Sequence, residues 1–219
     1  MKKVKRILTL FSILSIFVLS NKVNAADVQT TTTTINGITI QWEYTLNDNN
    51  QIEKLKCNNP SDLTGSISIP STLDGKTVVT LGSNAFESAT KITEITIPNS
   101  VKEIGLWAFS GCTSLSNVNL GNVERICNES FKNCTALTSI KLPKTLNKNA
   151  SGAPFSGCTN LKNIELEEGM TVVPSFVCAS TPITEITIPN SVKEIGLWAF
   201  SGCTSLSNVN LGNVERICN

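Results

Sequence analysis

Histidine is absent from the 219 residues, and that gap closes several routes to chemistry. No Ser-His or Cys-His nucleophile pair can form, and the commonest ligand of catalytic zinc is missing. The eight cysteines include no C-x-x-C pair, the usual signature of zinc knuckles and redox-active dithiols. Tyrosine occurs once and methionine twice. Apart from the N-terminus, no apolar run approaches the roughly 20 residues of a membrane span.

That N-terminus has a basic head, MKKVKR, an apolar core, ILTLFSILSIFVL, and a small polar exit, SNKVNA. Val23 and Ala25 occupy the −3 and −1 places of a cut before Ala26. Residues 1–25 therefore read as a secretory signal peptide, which makes the protein secreted or surface-exposed. Beyond it the chain carries thirteen basic and seventeen acidic residues, a net charge of −4. A mildly acidic exported chain has no electrostatic footprint for nucleic acid.

What the chain does have is self-similarity. An L-x-x-[IV]-x-[IL] frame recurs, with its middle residue at Ile95, Val118, Ile140, Ile164, Ile186 and Val209, in steps of 23, 22, 24, 22 and 23. The [IV]-x-[IL] pair has period two and predicts a short strand with one apolar face. A near-constant step returns the chain to the same place one coil later, so the strands stack as a parallel sheet about 4.8 Å apart. Phe86, Phe109, Phe131, Phe155 and Phe200 each precede the middle residue of the next frame by nine residues. The third coil has polar Asn149 where its neighbours place Ile or Val, and in the fourth the phenylalanine register slips. Prolines 98, 143 and 189 follow strands and stop them. No stretch between strands supports more than a turn of helix.

Residues 26–62 differ. Thr30–Thr34 read as a mobile or extended lead-in. Ile38, Ile40, Trp42 and Tyr44 alternate with polar residues as a half-buried strand, and IEKLKC returns as its partner. This β-hairpin caps one end of a solenoid formed by residues 63–219. Asn47, Asp48 and Asn49 offer oxygen ligands, but the glycine and closing glutamate of an EF-hand loop are missing. No metal and no cofactor are expected.

The string ITIPNSVKEIGLWAFSGCTSL resembles the BspA-like class of leucine-rich repeats, whose units join Ile-Pro, Ile-Gly, Ala-Phe and Cys elements at this spacing. The resemblance runs from about Leu63 to the end. It implies a stacked parallel β-sheet with short strands and irregular or 3₁₀ outer segments. It also implies a bacterial-type surface or secreted protein that works by binding, and this class is known for adhesins toward host extracellular proteins and other cells. Competing readings are a structural spacer, or an exported enzyme whose catalytic or anchoring domain lies downstream.

Cys112, Cys134, Cys158 and Cys203 follow the coil phenylalanine by three residues, and Ala89 holds the same place. A column that accepts Cys or Ala wants a small buried residue. The strand spacing also permits a Cys112–Cys134 or Cys134–Cys158 bridge. No base recurs near a cysteine, and Glu165, Glu167 and Glu168 read as a solvated face rather than a catalytic pair. The segment is read as no enzyme.

Two candidate surfaces remain for a protein or glycan partner. One is the outward side of the strands: Glu94, Thr96, Asn117, Asn119, Ser139, Lys141, Asn163, Glu165, Glu185, Thr187, Asn208 and Asn210. Solvated strand positions must be polar in any case, so this face is ambiguous. The other is Leu106-Trp107 and Leu197-Trp198, where sister coils carry Ser83-Asn84 and Asn128-Glu129. Either the indoles lie flat over a neighbouring coil or they face a partner. Residues 92–128 recur without change as 183–219, four coils later. The sequence ends in mid-coil at Cys218-Asn219, and a continuation like ESFKNCTAL, as after Asn128, is expected.

Overall fold

The computed structural model describes residues 27–147 and 152–218. The signal peptide and Asn149 lie outside those residues.

The described strands of the coils form two ladders. The first is the one the leucine-rich frame predicts. Ser66-Ile67-Ser68 pairs in parallel with Glu94-Ile95-Thr96, which pairs with Asn117-Val118-Asn119. Ser139–Leu142 pairs with Asn163–Leu166, and Glu185–Thr187 with Asn208–Asn210. The register keeps Ile on Ile and Val, so the apolar side of every rung points to the same core.

The second ladder was not predicted; irregular or 3₁₀ segments were. Thr80-Leu81 pairs with Glu103-Ile104 and that with Arg125-Ile126; Val172-Val173 pairs with Glu194-Ile195 and that with Arg216-Ile217. Charges complement one another across these rungs. Lys102 Nζ lies 2.9 Å from Glu124, and Arg125 lies 3.4 Å from Glu103. The duplicate coils repeat the pattern, with Lys193–Glu215 at 2.7 Å and Arg216–Glu194 at 3.8 Å. Among the described residues the one helix is a 3₁₀ turn at Pro60–Asp62.

The core is a column. Phe86, Phe109, Phe131 and Phe155 are fully buried and stack face to face, with centroids 5.2, 5.0 and 5.5 Å apart and interplanar angles of 7°, 11° and 23°. The fourth coil breaks it. Phe176 is shifted two residues toward the N-terminus of the column position, and Cys178, completely buried, fills that place. Phe200 is half-buried, with Cys178 on one side and no described coil on the other. In the last coil Val209, Leu211 and Ile217 are 40%, 42% and 53% exposed, because no described coil packs beyond them.

The region before the first frame is three strands, not two: β1 (Gln29–Ile35), β2 (Ile38–Leu46) and β3 (Ile52–Cys57), antiparallel in that order. The threonine run is a full strand, so of the mobile and extended readings the extended one holds; threonine is β-branched and pairs well across a ladder. β3 then pairs in parallel with Thr80-Leu81, so the meander continues into the second ladder. Trp42 sits edge-on over Phe86, at 5.8 Å and 78°, and covers the end of the column. The Asn47 side-chain oxygen accepts from the backbone N–H groups of Asn49 and Gln51 at 3.0 Å. Asn47 is thus occupied in closing the β2–β3 turn.

Tyr44, the sole tyrosine, is 1% exposed and donates its hydroxyl to Asp74 at 2.7 Å. Burial, and then the Asp74 carboxylate, push the phenol up from 10.0 to about 12. A raised pKa means that the contribution of Tyr44 to stability is complete below pH 10 and is lost as pH rises toward 12. Tyrosinate absorbance reads this residue alone. The folded protein should titrate near 12 and the unfolded chain near 10; a folded midpoint near 10 contradicts the Asp74 contact.

Candidate functional site

The third side of each coil runs from the second ladder back to the first and carries the tryptophans. It is held by bonds at alternate residues to the next coil: Trp107 N–H to Asn128 O at 3.4 Å, Phe109 N–H to Ser130 O at 2.7 Å, and Gly111 N–H to Lys132 O at 2.7 Å. Sister coils repeat these bonds, as in Asn84 to Leu106, Phe86 to Ala108 and Ser88 to Ser110. This geometry demands a left-handed backbone at the tryptophan position. Asn84, Trp107, Glu129, Phe176 and Trp198 all have φ between 52° and 60°. Asparagine tolerates that region; for a bulky aromatic residue it is a genuine outlier. The coil therefore has no conformational reason to place an indole there.

Nor are the indoles buried. Trp107 is 41% exposed, Leu106 39% and Trp198 55%, while Leu197 is half-buried. Each indole is thus partly covered by a neighbouring coil and partly open to solvent. The Trp107 indole N–H donates to a Glu129 carboxylate oxygen at 2.8 Å, which also receives Lys132 Nζ at 2.9 Å. Those two bonds, the indole's first, hold the Glu129 carboxyl below the usual glutamate range. The ring is thereby fixed in direction while much of it stays open to solvent. Phe176, which the sequence frame could not place, occupies the same position one coil before Trp198 and packs edge-on against it at 5.1 Å and 74°.

The strand face lies on a different side of the coil. Glu94 and Thr96 are half-buried, whereas Asn117, Asn119, Lys141, Glu165, Glu185 and Thr187 are exposed. Asn117 donates to Glu94 at 3.2 Å, and Lys141 pairs with Glu165 at 2.7 Å. Glu165 raises the pKa of Lys141 through that pair. Between Asn163–Leu166 and Glu185–Thr187 the ladder hydrogen bonds lapse, and an open cavity of ≈ 620 Å³ lies there, lined by Glu165, Glu167, Glu168 and Glu185. Glu167 is partly committed, accepting the Lys144 backbone N–H at 2.9 Å.

The cysteine column is packing. Cys112, Cys134 and Cys158 are buried, unbridged, and donate to the carbonyls of Phe86, Phe109 and Phe131 at 3.2, 3.3 and 3.0 Å. Each carbonyl also accepts a backbone N–H three residues on, so the thiol serves its second lone pair. In the fourth coil Thr181 holds this place, 2% exposed, with its hydroxyl on the Cys178 carbonyl at 2.6 Å. Burial pushes the Cys112 thiol up to about 12, the opposite of a nucleophile's requirement. Cys127 sits in the column of Gly82 and Gly105, with its thiol toward Glu103 at 3.4 Å, and is raised to about 11 by burial and by that carboxylate. Among the described residues no group of three or more Cys, Asp or Glu side chains is arranged to hold a metal. No described helix is long and apolar enough to cross a membrane.

Two stacked parallel ladders around an aromatic column define a leucine-rich-repeat solenoid. The chain belongs to the family with a BspA type leucine-rich repeat region, whose model matches six copies over residues 50–154 and 149–219. The match begins inside the antiparallel meander, shortly before β3. No curated protein matches the chain at a significant level. Among solved structures, it is similar to a leucine-rich repeat protein of T. pallidum (24% identity, TM-score 0.52, 81% of this chain and 79% of that one). It is similar to a leucine-rich cell surface protein of Faecalibacterium prausnitzii (26% identity, TM-score 0.52, 83% and 54%). A leucine-rich repeat protein of Bacteroides capillosus aligns at 27% identity and a TM-score of 0.52, over 62% of this chain and 98% of that one. Membership of this family makes the chain a repeat module of the protein-interaction type.

Proposed function

We propose that the protein is secreted or held at the cell surface and binds a protein partner there, as an adhesion module toward host or neighbouring-cell proteins. The observation that carries this reading is the tryptophan position. Trp107 and Trp198 stand half-open to water on a left-handed backbone that Asn84 fits without strain. An aromatic residue in that place costs conformational energy while leaving 41% and 55% of its surface open to water. Exposed tryptophans held in a fixed direction are typical anchors of protein interfaces.

The test replaces both with the residue a sister coil uses. Trp107→Asn with Trp198→Asn should leave thermal stability unchanged or slightly higher. Affinity for extracellular-matrix or cell-surface proteins, by surface-immobilised binding, should fall by roughly 30-fold or more, the scale of a hot-spot loss. Unchanged affinity rejects the tryptophans as the contact. A large loss of stability returns them to packing. A chain that binds none of these proteins would instead serve as a spacer.

A further inference from the structure

Independent of the tryptophans, β1 presents a second kind of surface. It is the terminal strand of its six-stranded sheet, and no described strand pairs with its outer edge. Folded proteins usually blunt such an edge with lysine, proline, a bulge or a very short strand. β1 has none of these. It is seven residues long, QTTTTTI, uncharged, and pairs with β2 without a break from Gln29↔Tyr44 to Ile35↔Ile38. Its inner side is fastened: the Trp42 indole donates to Thr33 Oγ1 at 2.8 Å, and Thr31 Oγ1 donates to Asp74 at 3.1 Å. Thr30, Thr32 and Thr34 face solvent.

We propose that this edge pairs with the same edge of a second copy of the chain, antiparallel, about a two-fold axis through Thr32. The strand is its own complement in that register. Thr32 meets Thr32, Thr31 meets Thr33, Thr30 meets Thr34, and Gln29 meets Ile35. Every pair joins residues of the same face, so solvent-facing threonines stay outside and anchored ones stay inside. Threonine opposite threonine is a favourable cross-strand pair, and the isologous symmetry gives every donor on one copy an acceptor on the other. No like charges face each other across the axis. A single strand pair is small beside the ~1,200 Å² of a standard stable interface, so the dimer forms in a concentration-dependent way.

Sedimentation equilibrium of the purified protein over a concentration series tests this. The weight-average mass should rise toward twice the monomer. Thr32→Glu sets two carboxylates opposite each other at the axis and should abolish the rise without lowering the melting temperature, since Thr32 is exposed. Thr32→Lys should do the same. An equimolar mixture of the two variants should restore the dimer. A wild-type protein that stays monomeric overturns the proposal, even if the isolated peptide QTTTTTI binds it, because the edge would then accept foreign strands. A dimer insensitive to both substitutions, or variants that do not rescue each other, also overturn it.

Discussion

Phe109→Ala is expected to lower the unfolding free energy by about 3–5 kcal/mol, the usual range for aromatic truncation in a core. Phe109 has no exposed surface and stacks on both faces, against Phe86 at 5.2 Å and Phe131 at 5.0 Å. Removing the ring takes away two ring contacts and opens a void in the middle of the column. Rigid ladders on either side limit collapse into it. Phe200→Ala offers the comparison, since Cys178 takes the place of the ring on one side and Phe200 is half-buried. Its loss should be clearly smaller. Urea denaturation of both variants checks the order, and equal losses would contradict a continuous column.

Gly105→Cys carries the second large effect, although the coil frame alone suggests tolerance, since Cys127 occupies the equivalent place. A Cβ at Gly105 would lie 2.7 Å from the Gly82 carbonyl carbon and 2.8 Å from the Leu81 oxygen. Both are backbone, so the coils must part. The Gly105 N–H bond to Leu81 O, 2.9 Å, would lengthen with them. Overpacking of this kind costs about 1–3 kcal/mol, more than the few tenths to 1 kcal/mol gained by restricting the unfolded glycine. Cys127 is already in place with its own N–H on Ile104 O at 3.0 Å, so Cys127→Gly forces no backbone apart and should cost less than Gly105→Cys. Matching urea midpoints for the two variants would refute this asymmetry.

Spacing located the first ladder and the phenylalanine column, because both recur at a near-constant step of 22–24 residues. It could not locate the second ladder. A two-residue strand such as Glu103-Ile104 has no period to detect, and its pairing is decided by the coil beside it. The frame sets Phe176 out of the phenylalanine register, as the structure does, but it could not show that Phe176 takes the Trp107 position, because pairing with the next coil decides that. The exposure of Trp107 was legible from Asn84 and Glu129 in sister coils. Its left-handed backbone was not, because that conformation is usually announced by glycine or asparagine, and the solenoid imposes it here on tryptophan. The threonine run read as a lead-in because five identical side chains give no alternation from which to infer a strand.

The salt bridges of the second ladder bear on how such a chain can change. A Lys-Glu rung at 102–103 lies against a Glu-Arg rung at 124–125, and the same couple recurs at 193–194 and 215–216. Two Lys-Glu rungs in succession would set lysine against lysine and glutamate against glutamate. The hydrophobic column is nearly indifferent to which coil follows which; the charges are not. Each exposed pair is worth only about 0.2–1 kcal/mol, yet like pairs would reverse its sign. Copying a block that contains both partners keeps every couple whole, whereas a one-coil slip separates them. The ladder thus gives the coils an order of succession, and it favours growth in blocks over growth by single turns.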